Sequence, residues 1–158
     1  MTQQHEDFLR QAARLALEAV EQGTGGPFGA LVVREGRVIG AGANAVTSTN
    51  DPTAHAEIVA IREACRALST FSLAGCTLYA SCEPCPMCLS ALYWARLDTV
   101  FYAATREDAA RAGFDDAFLY REVARPVGER ALPMTCLPSD EALAAFGRWA
   151  AKTDRVPY

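Results

Sequence analysis

No stretch of the chain comes near the roughly 20 consecutive apolar residues that a membrane-crossing helix needs, so no membrane association is expected. The opening residues, MTQQHEDFLRQ, have neither the basic start nor the apolar core of a secretory signal, and the cytoplasm is the expected setting. An excess of basic residues is missing too: the formal net charge is -4 and the pI is near 5.2. Nucleic-acid binding normally leaves a basic stripe, so the expected partner is a small molecule and not a nucleic acid. There is no Ser/Gly-rich or charge-rich linker, no internal repeat and no low-complexity tract. What remains is 158 residues, 51% of them hydrophobic, enough for one compact domain over 1–158 and too few for two ordinary ones.

Six cysteines in such a chain read as thiols or metal ligands before disulfides, because a reducing compartment keeps them free. Cys82, Cys85 and Cys88 recur every three residues. Cys65, Cys76 and Cys136 stand singly in apolar patterns and are expected as small buried hydrophobes.

Along the chain, Leu9, Ala12, Ala13, Ala16 and Val20 fall at helical spacing, which predicts an amphipathic helix over 6–20 ended by Gly23, Gly25 and Gly26. Residues 28–33 and 37–41, joined by a tight Glu35-Gly36 turn, describe an antiparallel hairpin. Ile58, Ile61, Cys65 and Leu68 mark one face of a helix over 54–68, preceded by the start signal Asp51-Pro52-Thr53. A third strand follows over 76–80. Glu83-Pro84 breaks it, since the residue before a proline is pushed away from helical angles. Pro86 then suits the first turn of a helix that runs to about Ala95. Residues 100–103 predict a fourth strand and 132–136 a fifth, and Ser139 caps a final helix to about Ala151. Residues 106–125 read as a long loop with a short helix, of the kind that often carries substrate contacts. The alternation predicts an α/β domain: a mixed five-stranded sheet with helices on its faces, in three layers.

Two helix starts therefore present ligand-type side chains: His55 on one, Cys85 and Cys88 on the other. Unpaired N–H groups at a helix start favour thiolates, and thiolate with imidazole suits zinc. Three protein ligands leave a tetrahedral ion one open position, which is the arrangement of a catalytic site. Glu57, two residues after His55, is placed to act as general acid and base. The competing arrangement takes Cys82 as a fourth ligand and makes a closed, structural site in a binding module without catalysis. Elsewhere, plainer readings hold: His5 is solvated, Phe28 and Trp94 belong to the core, Asn44 is a turn residue, and Asp115-Asp116 is a solvated or capping pair.

His55-Ala56-Glu57 followed by Pro84 to Cys88, PCPMC, is the paired H-x-E and P-C-x-x-C signature of zinc nucleobase deaminases. Within that superfamily GGPFGA at 25–30, NDPTAHAE at 50–57, SCEPCPMCL at 81–89, YWAR at 93–96 and AGFDDAFLY at 112–120 resemble bacterial guanine deaminases, over nearly the whole chain. The resemblance implies a cytidine-deaminase-like α/β/α fold and hydrolysis of a purine base, guanine, to xanthine and ammonia. It implies one Zn2+ per subunit on His55, Cys85 and Cys88, with Glu57 carrying protons. It assigns Asn44, Asp116 and the Ala56 backbone to the polar edges of the purine, Phe28 to the ring pocket, and Tyr158 to the site. It also implies a homodimer in which the helix and tail at about 139–158 swap onto the partner's active site. Relatives acting on guanosine, ammeline or cytosine share much of this motif set. A tRNA adenosine deaminase would be expected to carry a basic surface.

Overall fold

In the computed structural model, residues 2–158 are described. The chain divides into a unit that ends at Asp116 and a second unit, Ala117–Tyr158. The first opens with helix α1 (Gln3–Glu21) and the hairpin strands β1 (Gly29–Arg34) and β2 (Arg37–Ala43), followed by the short helix α2 (Val46–Thr49) and by α3 (Ala56–Leu68). Strand β3 (Cys76–Cys82), helix α4 (Pro86–Trp94), strand β4 (Thr99–Ala104) and helix α5 (Arg106–Arg111) complete it. The sheet order is β2-β1-β3-β4, with β1 antiparallel to both neighbours and β3 parallel to β4.

Side chains of successive strand residues point to opposite faces, and both faces of this sheet are covered. Ala30 and Val32 of β1, with Leu78 and Ala80 of β3, pack against α3 and α4 through Ala56, Ala60, Ala64 and Leu92. Leu31, Val33 and Tyr79 face the other way and meet Phe8 and Ala12 of α1. The result is the expected α/β/α sandwich around a mixed sheet.

The sheet has four strands among the described residues, not five. Residues 132–136 are exposed and lie outside any strand; Pro133 deprives that run of a ladder donor and Pro138 follows it closely. Cys136 is accordingly exposed, contrary to expectation, while Cys76 is buried and Cys65 half-buried. Residues 106–125 hold two helices, α5 and α6 (Ala117–Ala124), where a loop with one short helix is expected. Trp94 is exposed, not core.

Helix faces are also corrected in detail. In α1 the buried positions are Phe8, Ala12, Ala16 and Ala19, and Val20 is exposed. The helix begins at Gln3, so His5 lies in its first turn. Its Nδ1 lies 2.7 Å from the Tyr79 hydroxyl and its ring stacks on Phe101 at 4.4 Å, so His5 is a packed residue and not a solvated one. In α3 the fully buried face is Ala56, Ala60 and Ala64, with Ile61, Cys65 and Leu68 at its flanks. The small residues are needed because α3 lies almost on the backbone of β2. A Cβ on Gly40 would stand 2.4 Å from the Ala60 carbonyl oxygen, and one on Gly42 would stand 2.3 Å from that of Ala56.

The second unit contains α6, a 3-10 turn at Val127–Glu129, and α7 (Asp140–Ala151), whose Ser139 hydroxyl accepts from the Ala142 N–H at 3.3 Å as the expected cap. None of its residues is buried. No helix among the described residues is long and apolar enough to cross a membrane.

Candidate metal centre

The close packing of α3 on β2 fixes where α3 begins, and β3 leads through Glu83-Pro84 directly into α4. His55 and Cys85 occupy equivalent places, each the extended residue immediately before the first turn of its helix. Pro86 follows Cys85 at the first helical position, where a missing N–H costs nothing. One turn then carries the chain to Cys88, and both sulfurs face the imidazole. His55 Nδ1 lies 3.7 Å from Cys85 Sγ and 3.5 Å from Cys88 Sγ.

Those distances suit zinc. Tetrahedral bonds of about 2.3 Å to sulfur and about 2.0 Å to nitrogen place the two donor atoms about 3.5 Å apart. The three donor atoms all lie within 4.8 Å of one another, and among the described residues no other group of three such side chains forms. Cys82 is outside the set: its Sγ donates to the Thr105 carbonyl oxygen at 3.4 Å, and burial pushes its thiol up to about 11. The closed four-ligand arrangement is therefore not built.

The site is prepared for a cation. The Cys88 thiol beside it, together with the imidazole, pulls Cys85 down to about 4 despite burial. Cys88 is pushed up, by its hydrogen bond to the Cys85 thiolate and then by burial. A metal bound here would hold both sulfurs as thiolates. The Cys85 contact also raises His55, against the opposing effect of burial. Glu57, 7% exposed, lies beside Cys88 in the first turn of α3, and burial raises its carboxyl above the ordinary range. A buried carboxyl beside the ligand cluster is placed to serve as general acid and base.

Asn44 is 7% exposed and is more than a turn residue. Its Oδ1 accepts from the backbone N–H groups of Gly26 at 3.1 Å and Val46 at 3.2 Å. With the oxygen so engaged, the side chain offers a ligand only its NH2 donors. The next residue, Ala45, donates its N–H to the Ala54 carbonyl at 2.9 Å, which ties Asn44 to the residue before His55. Phe28 lies at the same end of the sheet, accepting from the Asn44 N–H at 2.9 Å through its own carbonyl.

The Phe28 ring is half-buried against the core and meets Phe114 edge-on, with centroids 5.0 Å apart and planes at 87°. Phe114 was not legible as a site residue, although it stands two positions before Asp116. Asp116 is half-buried; burial raises its carboxyl first and the Cys85 thiolate raises it further. Ala56 is wholly buried at the first position of α3, where a backbone N–H has no acceptor within its own helix. Tyr158 belongs to the second unit and packs edge-on against Trp149 there, at 6.4 Å.

The cytidine and deoxycytidylate deaminase zinc-binding region matches residues 2–104 of the chain. Guanine deaminase from Bacillus subtilis (strain 168) is 52% identical over 154 residues, which is 98% of this chain and 99% of that protein. The X-ray structure of guanine deaminase from Bacillus subtilis superposes with a TM-score of 0.95 at 51% identity, covering 100% of this chain and 99% of the other. A tRNA-specific adenosine deaminase from Aquifex aeolicus (strain VF5) is 48% identical, but over 99 residues, 63% of this chain and 65% of that one.

Proposed function

The chain belongs to the cytidine and deoxycytidylate deaminase zinc-binding family, and from that premise we propose that it hydrolyses guanine to xanthine and ammonia. The observation that carries this reading is the reach of the likeness. Similarity to a guanine deaminase continues through nearly the whole chain, whereas similarity to a tRNA deaminase spans 63% of it. The polar groups beside the metal centre suit a purine as well. Asn44 presents donors only, which suits the ring nitrogen and carbonyl acceptors of guanine, and Asp116 presents an acceptor for its N–H groups.

His55 Nδ1 and the sulfurs of Cys85 and Cys88 hold zinc. When bound there, the metal supplies a Lewis acid that makes a water molecule acidic near neutral pH. Glu57 takes a proton from the attacking water and delivers it to a ring nitrogen of guanine, which makes C2 electrophilic. The remaining hydroxide adds at C2, Glu57 takes the second proton from the new C2 hydroxyl and passes it to the exocyclic amine, and ammonia leaves as the C2–N bond breaks and a C2 carbonyl forms. Phe28, with Phe114 against it, walls the ring, and the Ala56 N–H contributes one further donor. Apolar walls strengthen the charges by keeping bulk water out.

The working form is a homodimer in which the segment 139–158 covers the partner's site and brings Tyr158 to the substrate. Two exposed apolar faces support this. On α7, Leu143, Phe146 and Trp149 are exposed at helical spacing, and on α4, Leu89, Tyr93 and Trp94 are exposed. The six cysteines are free thiols, in keeping with a cytoplasmic setting.

Ammonia release from guanine, guanosine, ammeline, cytosine and adenine by the zinc-loaded protein tests the reading. Fast release from guanine alone is expected. Preference for another compound would reassign Asn44, Asp116 and Tyr158 while keeping Glu57, and silence from all five would overturn deamination.

A further inference from the structure

The loops that leave the parallel strands β3 and β4 are joined by three hydrogen bonds. Cys82 Sγ donates to the Thr105 carbonyl at 3.4 Å, and the Glu83 N–H donates to the Ala104 carbonyl at 2.9 Å. These follow from the register that pairs Cys82 with Ala104. The third does not: the Arg106 N–H donates to Glu83 Oε2 at 3.3 Å, a side-chain bond from a residue two positions before Cys85. Arg106 is the first residue of α5, and its N–H would otherwise have no acceptor within the helix. Thr105 and Asp108 cap the same turn reciprocally, so α5 starts in one defined place.

What α5 holds in place is the route to Asp116. After the helix the chain turns at Gly113, whose φ is +93°, and the Phe114 N–H returns to the Ala109 carbonyl at 3.0 Å. The Phe114 ring then meets Phe28, and Asp116 follows. The corner that carries Cys85 is therefore tied by the Glu83 side chain to the helix that leads to Asp116.

We propose that Glu83 is a positioning residue, which sets the place of Asp116 relative to the metal centre by holding the Arg106 N–H. This rests on the reading of Asp116 as a substrate contact. The Glu83 carboxylate holds the protein's own backbone and its charge also reaches Asp116, so the geometric part is isolated by removing the Arg106 N–H and leaving the Glu83 charge in place. A displacement of about 1 Å in a reacting site can cost up to about 10²-fold in rate.

Proline at Arg106 removes that N–H alone among the backbone groups of α5. Proline is tolerated at a first helical position, and Thr105, at φ -89° and ψ 166°, already has the backbone that a residue before proline adopts. Arg106→Ala controls for the lost guanidinium. Arg106→Pro is expected to lower kcat/KM for guanine on the order of ten-fold below Arg106→Ala, the scale of one hydrogen bond to a charged group. Glu83→Ala should lose a similar factor and Glu83→Gln, which keeps an acceptor oxygen, should recover most of it. Zinc content should be unchanged in all of them.

The decisive readout is the cycle with Asp116→Asn. If Glu83 acts through Asp116, Arg106→Pro has no further effect in that background. Full multiplication of the two losses, equality of Arg106→Pro with Arg106→Ala, or loss of zinc would each overturn the proposal while leaving Asp116 as a substrate contact. Wild-type kcat/KM in Asp116→Asn alone would instead remove Asp116 from the site and the proposal with it.

Discussion

The residues up to Asp116 and those from Ala117 onward solve the problem of burial differently. The first unit covers both faces of its sheet: Val32, Leu73, Leu78, Cys76 and Cys88 are wholly buried, and Glu57 is nearly so. The second unit buries nothing, and Leu137, Leu143 and Phe146 are each at least 66% exposed. Exposed apolar side chains in such number on a short segment mark a surface made to be covered. The first unit assembles a metal centre from its own core; the second has helices and caps in place and leaves its apolar side chains exposed. Likeness to a tRNA-specific adenosine deaminase spans 63% of the chain, and likeness to a guanine deaminase spans 98%.

Two substitutions in the first unit should have the largest effects and should differ in kind. Glu57→Gln is expected to lose at least about 10²- to 10⁴-fold in kcat, the range of general acid-base catalysis, while retaining zinc. Cys85→Ala should lose zinc and activity together and lower the melting temperature, since the metal couples to folding. Metal analysis beside turnover separates them. Zinc loss in Glu57→Gln would make the carboxylate part of the metal's support, and near-normal turnover would remove it from the chemistry.

Gly42→Ala is the next in size. Its Cβ would stand 2.3 Å from the Ala56 carbonyl oxygen, so the start of α3 must move, and His55 and Glu57 move with it. A shift approaching 1 Å predicts a loss of about 10²-fold in kcat/KM. The same substitution should destabilise by about 1–3 kcal/mol, as overpacking does. Thermal melts and kinetics on one preparation would check both. Unchanged kinetics with lowered stability would show that α3 yields at its other end.

These residues also show what could be read from the sequence. His55, Cys85, Cys88 and Glu57 were legible because ligand chemistry demands particular side chains at helix starts, and helix starts carry proline and turn signals. Gly42 was not, because a close approach between a strand and a helix distant in sequence leaves no local pattern. For the same reason the helical spacing of apolar residues points to Ile58 and Ile61 as the face of α3, whereas its buried centre is Ala56, Ala60 and Ala64: hydrophobicity rewards large side chains, and the close approach demands small ones. His5 and Phe114 escaped because their partners, Tyr79 and Phe28, lie 74 and 86 positions away. The supposed strand at 132–136 failed differently. Its apolar residues met the strand pattern, yet Pro133 weighed against it, and their exposure places the run in the unit that buries nothing.

Phe146→Ser probes that second unit directly. Phe146 is 75% exposed and shares a face of α7 with Leu143 and Trp149. Buried aromatic anchors of an interface are worth about 2 kcal/mol or more, roughly thirty-fold in Kd. If a partner subunit covers α7, the variant should dissociate at correspondingly higher concentration in sedimentation, with zinc content unchanged. An unaltered dimer would place the interface elsewhere, with the exposed face of α4 as the remaining surface.

The smallest effect is expected at Cys136. It is exposed, and its neighbour Leu137 is 83% exposed. Exchanging an exposed sulfur for oxygen removes no contact in the subunit, so Cys136→Ser should change stability by less than about 0.5 kcal/mol, as surface substitutions do. Cys76→Ser, at a fully buried site among Leu73, Leu78 and Ala80, should cost several times more, because it places a hydroxyl in an apolar core. Melting temperatures of the two variants at one protein concentration measure the contrast between the units. Equal losses would mean that Cys136 is buried in the assembly, and that the covered surface extends from α7 back to the segment before Ser139.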